Sequence, residues 1–239
     1  MELKHNYKIE LAKTLSQHYY SVHEGKKFLG YFPSATTILL AFPTSPQLTA
    51  WIAQHGMEEA TNIRDEAGIS GTKIHSACDM LEEGQTLFEA NYTIKEWVKI
   101  KSFVDWYHEY KPTMVAGEIP VFSKKGKYAG RVDRIYKING DTIVLDFKSS
   151  SALHPQFPLQ FSAYANAIEE NSDEIIDMTA VLLLGASNKN GYRYETYPEW
   201  KEHYKVFKNV RETWQYNTYG SKKTKKEPPV LILPESLKL

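Results

Sequence analysis

The run from Gly130 to Ser150, GRVDRIYKINGDTIVLDFKSS, holds two aspartates and a lysine around a tight-turn signal. Asn139-Gly140 lies between two β-rich segments, a strong short-range sign of a hairpin. If these two residues form the whole loop, Asp133 falls opposite Asp146, and Arg131 falls opposite Lys148. Residues two apart on a strand share a face, so Lys148 joins Asp146 while Phe147 points the other way. Carboxylates directly opposed in a sheet repel each other. Two oxygen ligands facing one point suit Mg²⁺ or Mn²⁺, and Lys148 would sit one pleat along, within reach of a phosphate or an activated water. Two solvated aspartates on an exposed sheet face, with no metal, are the alternative that the hairpin alone leaves open.

Other elements must position these residues. YYSVHEGKKFLGYF (19–32) reads as a hairpin turning at Glu24-Gly25, and Ser34 can cap a short helix in SATTILLAF. Residues 46–67 carry a helical pattern that Gly68 and Gly71 should break. A new helix should then run from Gly71-Thr72 to Glu83, with Ile74, Ala77, Cys78 and Leu81 as its apolar stripe. Residues 93–110 form a further helix, with Ile94, Trp97, Val98, Val104 and Tyr107 expected to face inward.

The texture changes at residue 111. VAGEIPVFSK, KYAGRVDRIYKI and TIVLDFKSS read as three successive strands, followed by a helix around Leu159–Glu170. MTAVLLLG is wholly apolar, as expected of a strand covered on both faces. YRYETY reads as an edge strand, and the last helix starts after Pro198. The expected fold class is α/β: a mixed central sheet flanked by helices, with a mainly helical part over 1–110, the sheet and its helices over 111–219, and a basic tail over 220–239.

A chain of 239 residues suits a single domain with a full core. Hydrophobic residues at 42% and charged residues at 24% exclude wholesale disorder and collagen-like or coiled-coil classes. One cysteine, Cys78, excludes an intramolecular disulfide and a four-cysteine zinc or iron–sulfur site. The first residues lack a signal-peptide core, and no apolar run approaches the roughly 20 residues of a membrane span, so the expected location is cytoplasmic, away from the membrane. Twenty-nine basic residues balance 29 acidic ones, so net charge by itself argues for no partner.

Gly71-Thr72-x-x-His75, Gly130-x-x-Asp133, Asp146-x-Lys148 and Gln160-x-x-x-Tyr164 occur in this order, on an expected helix, two strands and a helix. Together they resemble the PD-(D/E)xK nuclease superfamily, in particular its RecB-like exonuclease branch, whose core is restriction-endonuclease-like. PSATTIL from Pro33 and the Leu48/Trp51 helix extend the resemblance over roughly residues 30–185. The resemblance implies metal-dependent hydrolysis of DNA phosphodiester bonds at ends or on single strands, with Mg²⁺ or Mn²⁺ as cofactor. Asp133, Asp146, His75 and the Phe147 backbone carbonyl would be metal ligands. Lys148 would orient the attacking water and stabilise charge at the phosphate, and Gln160 and Tyr164 would position DNA. Glu118 occupies a place where the family often has an acid. Asp146 stands where many superfamily members have Glu, as is common in this branch.

Ser34, Thr36 and Arg64 are further candidates for phosphate contact, against plain capping and surface roles. His75 taken alone would read as a partly buried structural histidine. Asp79, four residues on, could hold its other ring nitrogen or simply be solvated. Cys78 lies on an apolar stripe and is not read as a nucleophile. The helices before residue 111 are expected to wall a narrow channel over the sheet. A structure-selective endonuclease and a non-cleaving DNA-binding scaffold are the competing functions, and the intact Asp133, Asp146 and Lys148 set argues against the second.

Overall fold

The computed structural model describes residues 7–13, 17–150, 152–185 and 190–220. The chain opens with three antiparallel strands, β1 (Tyr7–Lys13), β2 (His18–Glu24) and β3 (Lys27–Pro33), in spatial order β1-β2-β3. The β2–β3 hairpin pairs Glu24 with Lys27, so its turn is Gly25-Lys26, one residue later than the sequence suggests. Strand β1 was not expected, although YKIELAK alternates with the period of two that marks a strand.

Ser34 caps the short helix α1 (Ala35–Ile38), its hydroxyl accepting from the Thr37 N–H, and a 3₁₀ turn follows. Helix α2 (Pro46–His55) buries no residue. Helix α3 (Met57–Glu82) then runs unbroken for 26 residues through Gly68 and Gly71, where the sequence suggests an interruption. Each helical glycine costs about 1 kcal/mol relative to alanine, and the apolar residues of the last turns outweigh that by packing on the sheet. Gly71 has a packing reason as well: a Cβ there would lie 3.2 Å from Ser149 Oγ, in the segment that follows Lys148. Before Ile74, only Ala60 of α3 is buried, so α2 and the first half of α3 stand off the core.

Helix α4 (Ile94–Tyr110) starts with a complete capping box between Thr93 and Glu96. Its core face is Ile100, Phe103 and Trp106, whereas Ile94 and Val98 are exposed. Two apolar stripes overlap on this helix, and the one carrying Phe103 and Trp106 has more surface to bury. Hydrogen bonding to Thr93, chiefly its backbone, outweighs burial and holds the Glu96 carboxyl down at about 2, with Lys73 Nζ 3.1 Å away adding to the effect. That lowered value contributes stability above the unfolded pKa near 4.3, lost as the pH falls towards 2. Thr93→Ala, which removes the cap, should cost about 1 kcal/mol by urea unfolding at pH 7. Glu96→Gln should narrow the stability difference between pH 6 and pH 2.5 relative to wild type.

The second half holds strands β4 (Thr113–Ser123), β5 (Tyr128–Ile138) and β6 (Asp141–Lys148), helix α5 (Gln156–Asn171), strands β7 (Met178–Leu184) and β8 (Tyr192–Tyr197), and helix α6 (Trp200–Tyr219). The five strands form one mixed sheet in order β4-β5-β6-β7-β8. All neighbours are antiparallel except β6 and β7, which α5 links as a parallel crossover. The inner strand β7 is buried almost throughout, and β8 is an edge. Ile74, Ala77 and Cys78 of α3 and Phe103 and Trp106 of α4 pack with Tyr136, Leu145 and Phe147 on one face of the sheet. Ala163 and Ile168 of α5 and Phe207 and Trp214 of α6 pack with Ile135 and Val144 on the other. The fold is thus mixed α/β, with a five-stranded sheet between helices and a separate three-stranded sheet. The Lys-rich stretch after Gly220 lies outside the described residues. Among the described residues no helix is long and apolar enough to cross a membrane.

Candidate metal centre

The β5–β6 hairpin turns on Asn139 (φ 54°) and Gly140 (φ 97°), the left-handed pair that a two-residue turn demands. Its ladder has the register expected from that turn, running from Ile138 opposite Asp141 to Arg134 opposite Leu145. There it stops. Asp133 and Asp146 lie just past the last pair, and the Asp133 carboxylate fills the opening: its Oδ2 accepts from the Phe147 backbone N–H at 2.9 Å. Arg131 does not meet Lys148. It pairs with Pro120 across β4 and holds the Glu118 carboxylate through its Nε at 2.7 Å.

Strand β4 is distorted at the same level. Glu118 has φ 51°, in the left-handed region, between the ladder pairs Gly117–Arg134 and Ile119–Val132. A non-glycine residue held there costs of order 1–3 kcal/mol, and such strain concentrates at functional sites. The distortion accompanies a convergence. One ligand atom each from His75, Glu118 and Asp133 lies within 4.8 Å of the others. His75 arrives from α3, with Nδ1 3.4 Å from Asp133 Oδ2 and its ring edge-on to Phe147.

The electrostatics suit a cation. Burial, then the neighbouring Asp146 carboxylate, pushes the Asp133 carboxyl well above the usual carboxylate range, against the pull of Lys148 and the Phe147 N–H. Burial also raises Glu118, although Arg131 opposes it. Burial lowers His75, while Asp146 and the Phe147 backbone oppose that shift, so the imidazole is neutral near pH 7 and keeps a lone pair for coordination. Crowded acids beside a neutral imidazole form a mixed nitrogen–oxygen donor set that could hold a divalent cation.

Asp146 stands beside this trio rather than within it. Its Oδ2 lies against Lys148 Nζ, an ion pair without good hydrogen-bond geometry, and its Oδ1 is 3.4 Å from Gln160 Nε2. Gln160 Nε2 also donates to the Tyr164 hydroxyl at 3.0 Å. Phe157 and Phe161 of α5 flank the Lys148 ammonium at 5.4 and 5.6 Å from their ring centroids. The Tyr164 ring packs where a side chain at residue 130 would otherwise lie, which accounts for Gly130 in β5.

Three candidates lie elsewhere. Ser34 is buried, and its hydroxyl is occupied by α1 capping and by contacts with Thr36 and Thr37. Thr36 is exposed beside it, sharing that hydroxyl contact. Arg64 is exposed and bonds to its neighbour Asp65, about three helical turns before His75. Asp79 does not hold His75: it is half-buried and ion-paired with Arg134, its remaining surface open to solvent. Sequence reasoning missed that pairing and the adjoining Arg134–Glu82 and Tyr136–Glu82 contacts. The three-residue spacing of Asp79 and Glu82 on one helix face was its only available signal. Surface hollows at the α2–α3 junction and at the end of α4 include no candidate ligand. No protein-family model matches the chain, and no curated protein matches it significantly.

Proposed function

We propose that this chain is a Mg²⁺- or Mn²⁺-dependent deoxyribonuclease that hydrolyses phosphodiester bonds at DNA ends or on single strands in the cytoplasm. The observation that carries this reading is the convergence of His75, Glu118 and Asp133 beside the Asp146–Lys148 pair, where the sheet ladder opens. The choice of DNA comes from the resemblance to RecB-like nucleases.

His75, Asp133 and Glu118 would hold the cation, with Asp146 and the Phe147 carbonyl as the further ligands that the resemblance implies. When bound, the cation supplies Lewis acidity toward a phosphoryl oxygen and makes an attacking water more acidic. The chain's own groups do the rest. Lys148 brings a positive charge to the edge of the carboxylate cluster, where it can donate to an oxygen on which charge grows as the P–O bond to the leaving sugar breaks. Its two aromatic neighbours restrict where the ammonium can go. Gln160 holds Asp146, and Tyr164 holds Gln160, which fixes the carboxylate from behind. A neutral protein can still retain a polyanion, because a few cations beside low-dielectric walls focus the local field. Aromatic side chains stacked on bases would add roughly 1–3 kcal/mol per base.

The donor set makes a prediction about metals. Mn²⁺ should support cleavage at least as well as Mg²⁺, since imidazole nitrogen suits Mn²⁺ better, and Ca²⁺ should support it poorly. Initial rates at matched concentrations of the three metals check this. Strong cleavage in Ca²⁺ alone would contradict His75 as a ligand.

The reading is tested on an end-labelled single strand against the same strand made circular, with Mn²⁺ and with chelator. Metal-dependent loss of the linear strand alone is expected. Equal cutting of the circle would make the enzyme an endonuclease with the same site, and cutting of neither would leave a binding scaffold.

A further inference from the structure

Arg134 is 2% exposed and lies directly behind the candidate ligands. A guanidinium at that depth is costly unless acids and acceptors surround it, and here α3 supplies two acids and β5 a carbonyl. Its Nη2 is ion-paired with Asp79, one turn beyond His75 on α3, and its Nε donates to Glu82 at 2.7 Å. Its Nη1 donates to the backbone carbonyl of Asp133 at 2.6 Å. Its Cζ lies 5.3 Å from the ring centroid of Phe147, the residue whose N–H holds the Asp133 carboxylate. On β4, Gly117 admits it: a Cβ there would come within 3.3 Å of Nη1, next to the strained Glu118.

One side chain thus joins the helix turn after His75 to the Asp133 carbonyl and passes beside Gly117, the residue before Glu118. Apart from the His75–Asp133 contact and the Tyr136 hydroxyl, which donates to Glu82, α3 rests on this part of the sheet through apolar contacts, and Arg134 is the one cation among these groups. A planar fork with fixed donors sets both the distance and the rotation between two elements, which a lysine cannot do.

We propose that Arg134 is a positioning residue for the metal centre: by clamping Asp79 and Glu82 of α3 to the Asp133 carbonyl, it sets the spacing between His75 and the two carboxylates. This rests on the metal reading above. The acids it uses are consumed in the clamp, so Asp79 and Glu82 are not themselves ligands. Outer partners of metal ligands are worth about 10–100-fold in affinity, and that is the effect expected here.

The experiment is Mn²⁺ binding to the full chain without DNA, followed by the electron paramagnetic resonance of free Mn²⁺, far below the melting temperature of each variant. Arg134→Lys keeps the charge and loses the fork. It should weaken Mn²⁺ binding by about 10–100-fold while unfolding remains cooperative. If it does not fold, Asp79→Asn takes its place, since Glu82 still neutralises the guanidinium, and a loss of about tenfold is expected. A lowered melting temperature with wild-type Mn²⁺ affinity in the folded variant would make Arg134 purely structural and overturn the proposal. Absence of Mn²⁺ binding by the wild type would overturn the metal reading itself, and this inference with it.

Discussion

Asp133→Asn should reduce cleavage to the level of the chelated wild type and, without metal, melt at a higher temperature than wild type at pH 7–8. Asp146→Asn and Lys148→Ala should lose cleavage as well. A thousandfold loss corresponds to about 4 kcal/mol of transition-state stabilisation. The stability gain follows from the environment of Asp133. Burial and Asp146 lift its carboxyl well above the ordinary range, whereas the unfolded chain titrates near 3.9. Ionising it in the metal-free fold therefore costs stability progressively as the pH rises from about 4 through the raised value. Asparagine carries no such cost and can still accept from the Phe147 N–H. The two proteins should thus melt alike below about pH 4 and diverge above it, by roughly 2–4 °C for each kcal/mol relieved. Added Mn²⁺ reverses the order. At a hundred times its dissociation constant it stabilises the wild type by about 2.7 kcal/mol, and the variant much less. Melting curves from pH 3.5 to 8, with and without Mn²⁺, check the signs. A variant that melts below wild type at pH 8 without metal would contradict this electrostatic account.

Gly130→Ala should be the most damaging single methyl group in the sheet. Its Cβ would fall well inside van der Waals contact with the Tyr164 ring. That ring is 4% exposed and packed in the core between α5 and the sheet, so it has nowhere to retreat. Overpacking of this kind costs about 1–3 kcal/mol. It also moves the Tyr164 hydroxyl away from Gln160, and Gln160 from Asp146. Lower stability and lower cleavage are expected together. Adding Tyr164→Ala should cost less stability than the same change in the wild type, because the clash goes with the ring, and should restore no activity, which separates the clash from the polar chain. A Gly130→Ala protein as stable as wild type in urea would show that the ring and the glycine are not opposed as described.

Much of the fold was legible because its signals are local. A two-residue Asn-Gly turn leaves one register for β5 and β6, so the neighbourhood of Asp133, Asp146 and Lys148 follows from counting. The apolar run of β7 and the Ser34 cap are local as well. His75 is different: nothing within its own helix says which sheet residue it meets, and only the resemblance brought it forward. The Arg134 clamp had no equivalent signal, because its acids Asp79 and Glu82 lie more than fifty residues away and buried ion pairs leave no periodic trace. Helix α3 runs on through Gly68 and Gly71, against their propensity, because propensity is weak against tertiary burial. In α4 two apolar stripes compete, and only the shape of the sheet face selects between them. The left-handed backbone at Glu118 is also invisible in sequence, since glutamate carries no preference for it.

The most direct test of the central claim is cleavage of an end-labelled single-stranded DNA by the purified chain in Mn²⁺, run beside a chelated reaction and beside Asp133→Asn. Metal-dependent shortening by the wild type, absent from both controls, is the expected result. An intact label in Mn²⁺ and in Mg²⁺, or equal shortening in all three reactions, would contradict it.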